Sequence, residues 1–184
     1  MDIYKDLFLM QQTYATLFSL SNKIQVKGDK YLEILTSRQY MAMLAIAHLP
    51  EDETTLNNIA RKLGTTKQSA KQLISIIEKK GYVQIVASQK DKRAVNIKIT
   101  KTGEQALLVV SEKGVYLLEE LFQKFSTEEL ETMWYLLKKL YRFDGEEQDG
   151  FEEDVNLPLD EDHTQLQSSV LKEFELRRMN AIKK

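Results

Sequence analysis

The 184-residue sequence has no cysteine, which excludes disulfides, thiolate metal sites and cysteine redox sensing. It has two prolines and seven scattered glycines. None of these falls into a G-x-G-x-x-G or G-x-x-x-x-G-K-[ST] loop, and H-E-x-x-H is missing, so the usual phosphate cradles and the zinc helix have no counterpart. Two histidines, His48 and His163, stand apart from any ligand-spaced partner. No metal, no cofactor and no catalysis are therefore expected. No apolar run approaches the roughly 18 residues of a membrane span. The N-terminus lacks a basic stretch followed by a small-residue cleavage site. Together these absences point to a soluble, cytoplasmic chain with no membrane contact and no enzymatic activity.

What the sequence does contain is a core and a partition of charge. Hydrophobic residues make up 42%, enough for one domain plus an appendage. The formal net charge of −2 conceals a strong asymmetry. Thr36 to Lys101 holds 12 Lys/Arg against 5 Asp/Glu, whereas Asp144 to Asp162 holds 10 acids and no base. Such a division suggests a basic binding module with an acidic tail.

Periodicity orders the chain. Ile3, Leu7, Met10, Tyr14, Leu17, Ser21 and Ile24 step by fours and threes, which predicts a helix over 2–26 that Gly28 and Asp29 interrupt. Thr36 and Gln39 form a capping box for a helix through Tyr40, Met43, Leu44 and Ala47 that stops at Pro50. Leu56, Ile59, Ala60 and Leu63 give a short helix over about 55–63, followed by Gly64 as a C′ residue. Thr66 caps the next helix, whose core stripe is Ala70, Leu73, Ile74 and Ile77 and which ends at Gly81. Residues 82–86 and 95–100 read as strands; in the second, Val95, Ile97 and Ile99 face one way and Asn96 and Lys98 the other. The segment between them, with Lys90, Asp91, Lys92 and Arg93, is a polar hairpin tip. A long helix over about 101–125 carries Leu107, Val110, Leu117, Leu118, Leu121 and Phe125. A second capping box, Ser126 with Glu129, opens a helix to about 143 with Leu130, Met133, Trp134, Leu137 and Tyr141. Gly114 inside a helix marks either close packing or a bend.

Two helices joined by a short turn, followed by a hairpin with a cationic tip, form the winged helix-turn-helix plan, in which the second helix enters the major groove. With its core stripe on 70, 73, 74 and 77, that helix presents Thr65, Thr66, Lys67, Gln68, Ser69, Lys71, Gln72 and Ser75 elsewhere, and Glu78 is the only acid on this face. Gln reads adenine bidentately, Lys reaches guanine O6/N7, and hydroxyls suit phosphates or bases. The helix N-terminus adds backbone N–H groups that favour a phosphate. A solvated Lys/Gln face would look the same in isolation. The preceding helix, the tip cations and the local charge favour double-stranded DNA as partner.

Residues 36–103 resemble the MarR family of bacterial transcription regulators. The stretches that carry the likeness are LTSRQYMAMLAI, LNNIARKLGTTKQSAKQLISIIEKKGYV, DKR and ITKTG. The helices over 2–26 and 101–143 are similar to that family's dimerisation helices, so the likeness covers about 140 residues of the chain. It implies a fold that is mainly α with a small β-hairpin wing (α+β), a winged helix-turn-helix with flanking dimerisation helices. It further implies a homodimer on a palindromic operator, with Arg93 entering the minor groove and Asp91 holding it. A narrow A·T-rich minor groove attracts arginine by its negative potential. The family often binds small aromatic or anionic effectors between the dimerisation helices and the DNA-binding lobe; no ligand is assigned here.

The expected division is a winged-helix domain over 1–143, with 2–35 and 101–143 for dimerisation and 36–100 for DNA binding, then an acidic linker and a C-terminal helix over 144–184. The seam residues Leu7, Phe8, Tyr14, Leu121, Phe122, Phe125, Trp134 and Leu137 are the dimerisation candidates, because a two-fold partner buries apolar stripes at both ends of a domain. Packing within one chain is the competing reading of the same residues. The acidic segment reads either as a solvated linker or as an electrostatic competitor of DNA for the basic face. A sequence-specific transcription regulator, a repressor, is the function expected. The alternatives are a winged-helix protein-interaction module and an antirepressor without its own operator.

Overall fold

The computed structural model describes residues 2–88, 95–146, 151 and 161–182, without the side chains of 161–168 and 180–182. Among them the order is α1 (Ile3–Leu32), α2 (Ser37–His48), α3 (Leu56–Lys62), α4 (Lys67–Lys79), β1 (Val83–Ala87), β2 (Val95–Ile99), α5 (Lys101–Phe122), α6 (Thr127–Tyr141) and α7 (Glu161–Ile182), with 3-10 turns at Glu51–Glu53 and Arg142–Asp144. The two strands pair antiparallel, Val83 opposite Ile99 and Ala87 opposite Val95. No described helix is long and apolar enough to cross a membrane.

The caps form as the sequence expects. Thr36 accepts from the Gln39 amide while the Gln39 side chain accepts from the Thr36 amide, and Ser126 with Glu129 repeats the arrangement. Thr55, Thr66 and Thr100 each accept from a backbone amide three residues on. Each cap of this kind contributes on the order of 1 kcal/mol. Gly64 and Gly81 adopt positive φ, 58° and 76°, as the residues that terminate α3 and α4.

The core lies where α2, α3, α4, α5 and the hairpin converge. Met43, Ile59, Ile77, Ile97, Leu107 and Val110 are essentially sealed there. Burying each of these side chains is worth roughly 1.5–3 kcal/mol relative to exposing it. Tyr40 crosses from α2 to α5, its hydroxyl 3.4 Å from Ser111 Oγ. Burial raises its pKa above the ordinary value, and the Ser111 hydrogen bond opposes the shift. Gly114 sits beside that ring in a continuous helix, where an added Cβ would meet the Tyr40 hydroxyl at 3.5 Å, an ordinary contact, so neither a bend nor a tight approach requires glycine there.

Three expectations change. Gly28 and Asp29 do not stop α1, which continues to Leu32. Gly28 is there because α2 crosses against it; a Cβ would stand 2.2 Å from Ser37 Oγ. Asp29 caps the same crossing by accepting the Ser37 amide at 2.6 Å. The residue that ends α1 is Glu33, a non-glycine at φ 60°. The second strand does not alternate cleanly either: Asn96 is only 2% exposed and Val95 45%. The Glu51–Glu53 turn lies along that strand, and Ile97 N donates to Thr54 O at 3.0 Å, so the outward face becomes an interior one. Leu118, expected on the apolar side of its helix, is more than half exposed.

The tail does close with a helix. α7 packs on α5 through the buried Val170. Arg178 donates to the carbonyls of Phe122 at 3.3 Å and Phe125 at 2.9 Å, tying α7 to the turn that follows α5.

Candidate nucleic-acid interface and the cleft behind it

The helix-turn-helix is held from behind. α4 packs against α2 and α3 through Ala70, Ile74 and Ile77, with Leu73 half-buried beside them. Thr65 N donates to Ala60 O at 2.9 Å and Gly64 N to Arg61 O at 3.0 Å, which fixes the turn. At its other end Lys80 Nζ donates to Ile34 O and Gln39 Oε1, both at 2.9 Å, tying the exit of α4 to the start of α2. The helix therefore projects from a rigid base.

Its outward side presents Thr66, Lys67, Gln68, Lys71, Gln72 and Ser75, all exposed, with Thr65 and Ser69 half-buried at the edge. Among the described residues Lys67 and Lys71 make no hydrogen bond or ion pair. Thr66 is committed locally: its hydroxyl accepts from Ser69 N at 3.1 Å and meets Ser69 Oγ at 3.0 Å. Thr66 and Ser69 thus shape the N-terminus, whereas Lys67, Gln68, Lys71 and Gln72 carry side chains free to reach outward. The α4 N-terminus adds partial positive charge on the same side.

The wing begins on β1 and β2, but Lys90, Asp91, Lys92 and Arg93 lie outside the described residues. At its base Lys98 pairs with Glu51, so that cation is turned toward the Glu51–Glu53 turn. Where the second strand meets α5, the Thr-x-x-Gly of Thr100 to Gly103 has a steric reason. A Cβ on Gly103 would stand 2.0 Å from Tyr82 O, the same oxygen that accepts Thr100 N at 3.0 Å. Only glycine lets α5 start this close to the entry of β1.

The dimerisation candidates divide. Leu7, Phe8, Tyr14, Trp134 and Leu137 are 42–72% exposed on α1 and α6, and α6 buries no residue within the protomer. Leu121, Phe122 and Phe125 are half-buried, with the Phe122 and Phe125 rings packed edge to face at 6.0 Å. The first group forms an exposed apolar surface; the second is partly covered by its own chain.

Behind the turn lies a cleft of about 750 Å³ between α1, α2, the α3–α4 turn and the end of α6. Its apolar walls include Leu17, Ile24, Met41 and Tyr141, and Arg38 and Lys62 are its cationic groups. The sequence reading placed Leu17, Ile24 and Tyr141 on helix stripes but did not join them with Arg38, Met41 and Lys62 into a cleft, because they come from separate segments with no shared periodicity. His48 packs at the end of α2: its Nδ1 meets Leu44 O at 2.8 Å, and its ring packs edge-on to Phe151 at 5.2 Å. No group of three potential metal ligands occurs among the described residues.

Residues 35–94 match the model of the MarR family. The chain is 25% identical over 134 residues to the transcriptional repressor MprA of Escherichia coli K12, covering 71% of this chain and 76% of that protein. It is 29% identical over 101 residues to the HTH-type transcriptional regulator SarZ of Staphylococcus haemolyticus, covering 54% and 67%. The crystal structure of an S. aureus MepR–DNA complex superposes with a TM-score of 0.63 at 26% identity, covering 70% of this chain and 96% of that one. These relatives are transcription regulators, not enzymes. With residues 35–94 matching that family's model and a winged helix-turn-helix between long flanking helices, the chain is similar to the MarR family of transcription regulators.

Proposed function

We propose that the protein binds duplex DNA as a homodimer at a palindromic operator and represses transcription from it, with a small-molecule effector relieving repression. The observation that carries this reading is the rigidly backed, acid-poor outer face of α4, with Lys67, Gln68, Lys71 and Gln72 exposed together at its N-terminal end. In its division of labour, 1–143 is the winged-helix domain, with 36–100 reading DNA, 2–35 and 101–143 dimerising, and 144–184 an appended tail. Thr65, Thr66 and Ser69 set the helix on the backbone, the lysines contact phosphate or guanine, and the glutamines read base edges. On the wing, Lys90 and Lys92 neutralise phosphate, Arg93 enters the minor groove and Asp91 orients it.

Dimerisation is supported by the exposed seam of α1 and α6, which a two-fold partner would bury. The effector reading is supported by the cleft, which joins apolar walls to Arg38 and Lys62 next to the turn that sets α4. The MprA name supports a repressor.

The test is to select bound duplexes from a random pool with the full chain. An inverted repeat with half-sites about one helical turn apart is expected, because two recognition helices related by a dyad must meet the same side of B-DNA. Affinity for the recovered site should fall steeply with salt, about 0.9 in log K per log salt for each phosphate neutralised. A pool that yields no enriched sequence, with no salt-dependent duplex binding, would instead identify a protein-docking module or an antirepressor.

A further inference from the structure

The α6 helix buries no residue within the protomer, and its Trp134, Leu137 and Leu140 are 42–49% exposed. Among the described residues its main neighbour is the 3-10 turn that continues it, and its last residue, Tyr141, lines the cleft. Its direction is therefore set largely by residues 123–126, which join it to α5. A helix of 15 residues is roughly 22 Å long, so a swing of about 10° at the link carries its far end about 4 Å. Interdigitated side chains do not tolerate a displacement of that size.

Within the link, Phe125 N donates to Phe122 O at 3.0 Å, Gln123 Nε2 donates to Glu120 O at 3.1 Å, and Ser126 caps α6. Arg178, on α7, grips the same link from outside. One arm of its guanidinium, Nη1, donates to Phe122 O at 3.3 Å, and the other, Nη2, donates to Phe125 O at 2.9 Å. The first carbonyl ends α5 and the second lies two residues before α6, so a planar fork spans the corner. Both acceptors are backbone, which no side-chain rotation can withdraw. Elsewhere along its length α7 is fastened to α5 as well. Val170 is buried, and Glu173 accepts from the Tyr116 hydroxyl and from Arg177 Nε, both at 3.1 Å.

We propose that Arg178 is a positioning residue for dimerisation: by holding both carbonyls of the α5–α6 corner, it fixes the angle at which α6 meets a second copy of this chain. The proposal rests on the reading of α6 as a dimerisation helix. It gives the C-terminal helix a function that does not involve competition with DNA.

The test uses the full chain. Sedimentation equilibrium gives the dimer dissociation constant, which should rise about tenfold in Arg178→Ala as two hydrogen bonds from a charged group are lost. Arg178→Lys keeps the charge but has no fork to span two carbonyls, and should fall between the two. Because the chain has no cysteine, a nitroxide pair at Lys101→Cys on α5 and Lys139→Cys on α6, both exposed, reports the angle between these helices. Dilution with unlabelled chain restricts the reading to distances within one protomer. The distribution should be narrow when Arg178 is present and broaden in Arg178→Ala. Weaker dimerisation with unchanged distances would place α7 in direct contact with the second copy, through its exposed Leu171, Leu176 and Met179, and overturn the positioning role. Full restoration by Arg178→Lys would reduce the effect to charge and overturn the two-carbonyl grip. A dissociation constant unchanged in Arg178→Ala would overturn the proposal while the dimer reading stands. An unaltered chain that sediments as a monomer would overturn both.

Discussion

Lys80 Nζ and Gln39 Oε1 meet at 2.9 Å, joining the residue that ends α4 to the capping box that begins α2. The same amide oxygen accepts from Thr36 N at 3.3 Å, so one Gln39 side chain serves both a helix start and the orientation of the helix that faces outward. A cation at the C-terminal end of α4 also opposes the negative end of its dipole.

Lys80→Met should therefore destabilise the protein by about 1 kcal/mol, the net value of a typical hydrogen bond, since exposure of Lys80 screens its charge. The denaturation midpoint should fall with no change in slope. A midpoint equal to that of the unaltered chain would mean the contact contributes nothing.

The glycines separate by what surrounds them. Gly103→Ala should be strongly destabilising, because the new Cβ would lie 2.0 Å from the Tyr82 carbonyl oxygen and backbone must move. Gly114→Ala should instead be neutral or stabilising by up to about 1 kcal/mol, the helix propensity gained where the nearest atom is 3.5 Å away. Thermal unfolding of the two variants side by side decides it; the reverse order would contradict this packing of α5.

Removing Arg93 should weaken operator binding by roughly 1–3 kcal/mol if it inserts in a groove. Lys71→Ala should lower the salt slope by about 1 and weaken all sequences alike, if that lysine meets phosphate. Gln68→Ala or Gln72→Ala should change which duplexes are preferred. Electrophoretic or anisotropy titrations on operator and scrambled duplex distinguish the three patterns. Specificity unchanged by both glutamine variants would remove their reading role.

If the proposed homodimer uses this seam, a charge in its middle should separate the two copies. Leu137→Asp or Tyr14→Asp should give a monomer in sedimentation at micromolar concentration and lose operator affinity, since an unpaired carboxylate in a buried interface is costly. A dimer that persists in both variants would place the interface elsewhere.

The α7 contact should loosen in acid. Hydrogen bonds from Arg177 and then Tyr116 hold the Glu173 carboxyl below its ordinary 4.5. The stabilisation is present above the unfolded value and is lost as pH falls through the lower folded value. Tyr116 donates to Glu173 at 3.1 Å and Arg177 lies over the Tyr116 ring at 4.6 Å, so both links weaken together. Amide protection along α7, taken relative to the intrinsic exchange rate, should fall ahead of the core as pH drops through that lowered Glu173 value, and parallel loss of protection in α5 and α7 throughout would contradict a separate release.

Much of the fold was legible because local rules and tertiary demands agree. Thr36 with Gln39 and Ser126 with Glu129 are capping boxes in sequence and in space. Ala70, Ile74 and Ile77 are buried as the period of 3.6 requires. The exposed face of α4 follows from the same period. Gly28 misled for a physical reason: a glycine chosen so that another helix can approach looks, in one dimension, like a glycine chosen to end a helix. Asn96 misled because a turn from a distant part of the chain covers what would otherwise be the solvent face of a strand.

Taken alone, the sequence determined which segments are helical, where the helix-turn-helix and the wing lie, and which side chains α4 turns away from its core. Those are consequences of spacing and capping, which act over a few residues. The tertiary structure decided what no spacing encodes. It set the close crossing of α1 and α2 at Gly28, the anchoring of α4 through Lys80, and the cleft assembled from α1, α2, the α3–α4 turn and α6. It also placed Phe151 beside His48 and Lys62, a meeting of residues about 90 to 100 positions apart in sequence that arises only when the chain closes on itself.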